Sequence, residues 1–215
     1  MNVLVLSDNK PLLDRARPTF ERRKVNRWTF SSSSYIHPKL DYKHIIKTYD
    51  LVISMHCKTI FPKELFAQVR CINIHPGYNP FNRGLFSHIW SMLNGLPAGV
   101  TIHEMVGEID GGPVICQSQV EIRKDDTSES LYERILDEEL LLIHERIDKI
   151  IAHDYETYQP PEGNYNSYKD FKRLCAIDPD RVGTFAEFYD IIRALSHSGY
   201  KNAHLNDTYF KIQIL

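Results

Sequence analysis

Apolar residues in this chain come in short dense runs separated by polar, turn-forming stretches. "VLVL" (Val3–Leu6) is a continuous β-branched and leucine run that ends in "SDN". Such a run predicts a strand buried on both faces, with a loop at the sheet edge after it. "LVISMH" and "CINIH" have the same character, and "RWTF" before "SSSS" predicts a further strand. The serine run has no glycine and reads as a solvated turn rather than a phosphate cradle. Helical patterns lie between these runs. They are the charged residues 11–24, which Pro18 is expected to interrupt, then "KHIIKTYD", then "FPKELFAQV" with Pro62 near its first turn. "GLFSHIWSMLNG" reads as an amphipathic helix closed by Gly95. "GVTIHEM" and "PVICQSQVEI" predict two more strands, and "DDTSESLYERILDEELLLIHERIDKIIAH" a long helix. Asp126 is its expected N-cap, Glu129 the capping-box partner, and Tyr132, Ile135 and Leu142 its packing face. Strands alternating with helices predict an α/β fold, an open, mostly parallel twisted sheet with helices on both faces.

The pattern changes at "YQPPEGNYNSY", where Pro160, Pro161 and Gly163 mark a linker. The predicted organisation is a core over 1–157, a linker over 158–183, and a short C-terminal helix and β-hairpin over 184–215. The hairpin turns at Asn206-Asp207. The tail helix carries Phe185, Phe188, Ile191, Ile192 and Leu195, more apolar surface than a lone helix leaves in water. The hairpin adds an unpaired edge. A symmetric homodimer built partly by this tail is the expectation, and a tail folded back on its own core is the alternative.

With 215 residues, 42% of them hydrophobic, the chain can bury a real core. A formal net charge of -2 gives no electrostatic case for nucleic acid as a partner. Cys57, Cys71, Cys116 and Cys175 are scattered without CxxC spacing. That argues against a zinc ribbon or disulfide framework and fits reduced thiols in a cytoplasm. The apolar run near the N-terminus is too short for a signal segment or a membrane span, so no membrane partner is expected.

The candidate chemistry sits where strands end in polar groups. Asn73 and His75, two residues apart in "CINIH", share one face of a strand, and Pro76-Gly77 then turns the chain away. In open α/β sheets ligands bind beyond the carboxyl ends of the strands. Asp110 stands in a loop between two strands, followed by Gly111-Gly112, which permit close backbone approach. A carboxylate beside an imidazole fixes its tautomer and raises its basicity, and an asparagine amide can donate to an oxyanion. Together they form a kit for acyl transfer to an amine without a covalent enzyme intermediate. No nucleophile elbow, GxGxxG or P-loop is present in the sequence. His103 and Glu104, taken with His75, match no zinc-binding spacing, and no metal is expected. His56 and His88 read as structural or surface residues.

"INIHPGYNPFNRG" followed by "GVTIHEMVGEIDGGPVI" resembles the 10-formyltetrahydrofolate-dependent formyltransferases, over roughly residues 1–155. "IIRALSHSGYKNAHL" resembles the opening of the C-terminal region in longer members. The resemblance implies a Rossmann-like core with Asn73, His75 and Asp110 as catalytic residues and 10-formyltetrahydrofolate as cosubstrate. The donor is expected against Met55, Cys57, Lys58, Thr59 and Ile60 and against Val106, Gly107, Glu108 and Ile109. Where transformylases for initiator tRNA or a purine intermediate have His-Pro-Ser-Leu-Leu-Pro, this chain has His-Pro-Gly-Tyr-Asn-Pro. That version resembles the small sugar N-formyltransferases acting on dTDP-4-amino-4,6-dideoxyglucose, a route to surface polysaccharide such as O-antigen. A tRNA enzyme is also expected to carry a fuller, more basic C-terminal domain. The nucleotide sugar is then expected at Asn9, Lys10, Tyr78, Asn79, Phe81, Asn82, Arg83, His103 and Glu104. Tyr78 or Phe81 would stack on a ring, and Asn82 and Arg83 would take the pyrophosphate. Competing readings are a formyltransferase for another amine, such as initiator tRNA or a 3-amino sugar, a deformylase using water, and a non-catalytic folate or nucleotide-sugar binding module.

Overall fold

The computed structural model describes residues 1–213. β1 (Asn2–Leu6) leads into α1 (Lys10–Glu21), β2 (Arg27–Ser31), α2 (Tyr42–Thr48), β3 (Leu51–Met55), α3 (Lys63–Phe66) and β4 (Arg70–His75). A short β5 (Arg83–Gly84), α4 (Ser87–Asn94), β6 (Ala98–Glu104), β7 (Val114–Val120) and the long α5 (Ser128–Ala152) follow. The chain continues through β8 (Tyr165–Asn166), α6 (Tyr168–Cys175), α7 (Phe185–Leu195), β9 (His204–Leu205) and β10 (Thr208–Tyr209). The main sheet has the order β2-β1-β3-β4-β6-β7. β2, β1, β3 and β4 are parallel, β6 runs antiparallel to β4, and β7 antiparallel to β6.

The unbroken apolar runs are explained by helices on both faces. In β1, Val3 and Val5 face the larger core, closed by α1, α4 and α5, while Leu4 and Leu6 face a smaller one closed by α2 and α3. Each such fully buried side chain is worth about 1.5–3 kcal/mol. β3 and β4 divide in the same way, with Ile53, Ile72 and Ile74 on the α5 face and Val52 and Cys71 on the α2 face. Asn73 and His75 therefore continue the row begun by Cys71, on the α2 face, where the apolar cover stops.

Three local expectations are corrected. α1 runs through Pro18, because inward-facing Leu12, Ala16 and Phe20 hold the helix to the sheet. α5 is capped by Thr127, whose Oγ1 accepts from Ser130 N–H while Thr127 N–H donates back to Ser130 Oγ at 3.0 Å. Asp126 sits one residue earlier, taking Arg123 N–H at 2.6 Å, and Glu129 instead reaches Ser198 in the tail.

The third correction concerns the stretch 158–183, which is built into the body. Tyr158 exchanges both backbone hydrogen bonds with Val114, at 2.8 and 3.0 Å. β8 pairs in parallel with β5, and α6, capped by Ser167 and Asp170, buries Phe171 and Cys175 in the larger core. In the tail, Ile191, Ala194 and Leu195 of α7 are buried in that same core. Arg193 is buried too and donates to the Asp126 carbonyl at 3.1 Å. Val182 and Phe185 remain 95% and 86% exposed, so only the outer stripe of the predicted apolar helix is left uncovered. β9 and β10 form the predicted hairpin around Asn206, and Ile214 and Leu215 lie outside the described residues. If 158–183 is structural, Phe171→Ala should cost about 3–5 kcal/mol. A thermal or urea titration checks this, and a loss below 1 kcal/mol would restore the linker reading.

Candidate active site

Asp110 is the centre of the site. Asn73 Nδ2 donates to its Oδ1 at 3.0 Å, and the Gly84 backbone N–H donates to its Oδ2 at 3.1 Å. His75 Nδ1 lies 3.7 Å from Oδ2, and His103 Nε2 lies 3.5 Å from Oδ1. His103 stands opposite Asn73 across the β4–β6 pairing, its Nε2 3.3 Å from Asn73 Nδ2 and its Nδ1 donating to the Glu104 carbonyl at 2.8 Å. Burial works against charge on Asp110 but is outweighed by His75, His103 and the Gly84 N–H, which hold its carboxyl well below the usual carboxylate range. Burial has the opposite consequence for His75, pushing its pKa down despite the attraction of Asp110. The ring is neutral at pH 7, and with Nδ1–H directed to the carboxylate, Nε2 keeps its lone pair. That nitrogen is buried and has no hydrogen-bond partner among the described residues.

The backbone is shaped around this carboxylate. Asp110 adopts φ 49°, in the left-handed region that a non-glycine residue occupies only when its surroundings over-determine it. Gly112 follows because a Cβ there would sit 1.8 Å from the Glu104 carbonyl oxygen. The loop after His75 is stitched to β6. Thr101 Oγ1 donates to the Gly77 carbonyl at 2.7 Å and accepts Asn79 N–H at 3.0 Å, while Asn79 Nδ2 donates to the Asp110 carbonyl at 2.7 Å.

The structure brings Asn73, His75 and Asp110 together, and it moves several expected substrate contacts into supporting places. His103 is 2% exposed and belongs to the carboxylate cluster. Asn79 is buried as the staple between the two loops. Asn82 is fully buried, and its Oδ1 accepts from Asn94, Asn164 and Asn166. Neither asparagine is open to a sugar. Arg83 pairs with Glu108 at 2.5 Å, and Glu104 accepts from Tyr155 at 3.1 Å. Tyr78 and Phe81 are half-buried in the same loop. Met55 packs wholly inside the larger core, so its side chain is closed to a ligand. Ile60, Val106 and Ile109 are 70%, 40% and 41% exposed. Cys57 and Met105, from the two segments expected to hold a donor, both pack on the smaller core, so these segments border one region. Lys58, Thr59 and Gly107 complete the two segments at or near the surface.

A polar cleft lies at the ends of β1 and β2, where sequence reasoning places Lys10 near the sugar but reads the serine run as a solvated turn. It has a volume of about 340 Å³ and is lined by Ser7, Lys10, Ser32, Ser33 and Lys58. Asp8 organises it by accepting Ser33 N–H, Ser33 Oγ–H and Lys58 N–H at 2.9, 2.7 and 2.7 Å. Asn9 caps α1 through Leu12 N–H, and Lys10 pairs with Asp14 on the surface. The unbroken serine run after a strand was the available signal. Thr101 was missed as well, although it shares the strand face of His103.

Because its Cβ would meet rigid backbone, Gly112→Ala should lose about 1–3 kcal/mol of stability along with the Asp110 geometry. A melt paired with a turnover assay checks this, and a variant with unchanged Tm would show that the loop relaxes freely.

Residues 2–147 match the formyl transferase family, and residues 170–214 match the N-formyltransferase dimerization C-terminal domain. A dTDP-4-amino-4,6-dideoxyglucose formyltransferase of Mycobacterium tuberculosis is 44% identical over 164 residues, 76% of this chain and 70% of that protein. A GDP-perosamine N-formyltransferase of Brucella abortus is 30% identical over 119 residues, 54% of this chain and 46% of that protein. The structure of a 4-N formyltransferase from Francisella tularensis superposes with a TM-score of 0.90 at 32% identity, covering 100% of this chain and 98% of its own. A sugar N-formyltransferase from Shewanella does so with a TM-score of 0.86 at 36% identity, covering 100% and 99%.

Proposed function

The chain belongs to the formyl transferase family, and we propose that it moves the formyl group of 10-formyltetrahydrofolate onto the 4-amine of dTDP-4-amino-4,6-dideoxyglucose, in the cytoplasm, for a surface polysaccharide. The arrangement of Asn73, His75 and Asp110 around one buried carboxylate carries this reading. Identity to the dTDP-4-amino-4,6-dideoxyglucose enzyme and likeness to the 4-N enzyme support the acceptor.

In the proposed reaction the neutral amine attacks the formyl carbon, and the C=O electrons move onto oxygen. Asn73 donates to that oxyanion with the N–H it shares with His103, a 3.3 Å contact that an anionic acceptor outcompetes. Such a donor is typically worth ~3 kcal/mol in the transition state. His75 Nε2 takes the proton from the attacking nitrogen, Asp110 stabilises the resulting imidazolium, and the proton passes to N10 as the C–N10 bond breaks. The exposed apolar side chains of Ile60, Val106 and Ile109 suit a flat donor held between their segments. The serine- and lysine-lined cleft suits the sugar diphosphate. β1 lies two strands from β4, ~10 Å away, a span that suits a hexose and its diphosphate. Exposed Val182 and Phe185, together with the dimerization-domain match, support a homodimer through the tail.

One panel tests the assignment. The protein and 10-formyltetrahydrofolate are incubated with dTDP-4-amino-4,6-dideoxyglucose, its galacto epimer, a 3-amino isomer and charged initiator tRNA. Formylation of the gluco sugar is expected, and formylation of tRNA alone would overturn it. His75→Asn and Asp110→Ala should each lower kcat by about 100-fold or more without loss of circular dichroism. Because burial depresses the His75 pKa, its base form persists as pH falls. The acid limb of kcat should have its midpoint below histidine's ordinary value of about 6.5. A midpoint above 6.5 would instead mean that the imidazolium is the working form. On a sizing column Phe185→Asp should turn a dimer into a monomer, and a wild-type monomer at micromolar concentration would exclude the tail interface.

A further inference from the structure

On the α5 face of the sheet lies a second set of polar groups. α5 turns Leu131, Ile135, Leu142 and Ile143 into the larger core, yet Glu139 among them is also fully buried. A leucine would serve the packing of this helix, and a buried carboxyl is tolerated only with a hydrogen-bonded partner. That partner is His56, whose Nε2 lies 2.8 Å from Glu139 Oε2. Its Nδ1 lies 3.1 Å from the Tyr132 hydroxyl, two turns before Glu139 on the same helix. With Nε2–H donating to the carboxyl oxygen, Nδ1 is left to accept from the tyrosine, so both ring nitrogens are engaged and the tautomer is fixed. Burial, reinforced by Glu139, raises the Tyr132 pKa and keeps that hydroxyl a donor. The Tyr132 ring rests on His88 of α4, with centroids 4.9 Å apart, and His88 Nε2 meets Ser128 Oγ at 3.0 Å.

His56 is where β3 ends. It adopts φ 59°, a left-handed conformation that a histidine holds only under constraint. The next residues are Cys57–Ile60, the segment that borders the exposed apolar side chains of the donor region. The His56 carbonyl accepts Asp8 N–H at 3.3 Å, and Lys58 N–H is held by the Asp8 carboxylate. The turn is therefore gripped from outside by Asp8 and from inside by Glu139.

We propose that Glu139 and Tyr132 are positioning residues that hold His56 in its left-handed turn and so set segment 57–60 in the shape that binds the formyl donor. This rests on the formyl-donor reading above. The full-length protein is titrated with tetrahydrofolate by calorimetry, and KM is measured separately for 10-formyltetrahydrofolate and for the amino sugar. Glu139→Leu should stay folded, weaken tetrahydrofolate binding tenfold or more and raise the donor KM to match, with the sugar KM within twofold of wild type. Glu139→Gln, which keeps an acceptor for His56 Nε2–H, should recover donor affinity to within threefold. Tyr132→Phe, which removes one oxygen, should weaken donor binding threefold or more and serves if Glu139→Leu misfolds. Donor affinity within twofold of wild type in folded Glu139→Leu or in Tyr132→Phe overturns the proposal while leaving the donor reading intact. Wild-type protein that does not bind tetrahydrofolate overturns both.

Discussion

A carboxylate withdrawn from water needs other groups to take the place of its hydration shell, and the architecture around β4 follows from that need at Asp110. The Asn73 amide, the Gly84 N–H and the His75 imidazole do what solvent would otherwise do. To meet them the chain passes through a left-handed residue and two glycines. The loop after His75 cannot drift, because Asn79 is tied to the Asp110 carbonyl and Thr101 to both ends of the turn. Charge on Asp110 then fixes the His75 tautomer, while burial of the ring keeps it neutral. One solvation problem thus sets loop shape, ring orientation and protonation state together.

The strands and their polar ends were legible because burial on two faces leaves a continuous apolar run, and Asn73 and His75 interrupt that run with the strand's own period of two. Asp110 was legible from the glycines after it. His103 was misassigned because its role comes from register. It faces Asn73 only because β6 runs antiparallel to β4, and a single sequence does not state which strands pair. Asn79 and Asn82 looked like surface residues because loop asparagines usually face water. Here each satisfies backbone or another amide in the interior, and composition does not distinguish a polar group solvated by protein from one solvated by water. The stretch 158–183 was misread for a related reason. Prolines and glycine at its start mark an irregular path, and an irregular path over a surface can be as well anchored as a helix.

Along the ends of the parallel strands the chemistry is laid out in order. The serine- and lysine-lined cleft lies beyond β1 and β2, the segment proposed to hold the donor beyond β3, and the Asn73–His75 pair at β4. The two faces divide the labour. The α2 face gives up its apolar cover where the Asp110 cluster begins. The α5 face stays closed, and the buried Glu139 carboxyl is spent on the turn that ends β3. Helix α5 is thus both a wall of the core and a brace for a loop it does not adjoin in sequence.

The Gly84 donor to Asp110 belongs to the main chain, so of the possible residues at that position only proline removes the N–H itself. What can be lost is the orientation of the peptide, and that is set by β8, whose Asn166 carbonyl would lie 2.6 Å from any Cβ at residue 84. The control of this contact is therefore displaced from position 84 to position 166. A substitution in β8, about eighty positions downstream, can disturb the solvation of Asp110 with every residue of the proposed site unchanged.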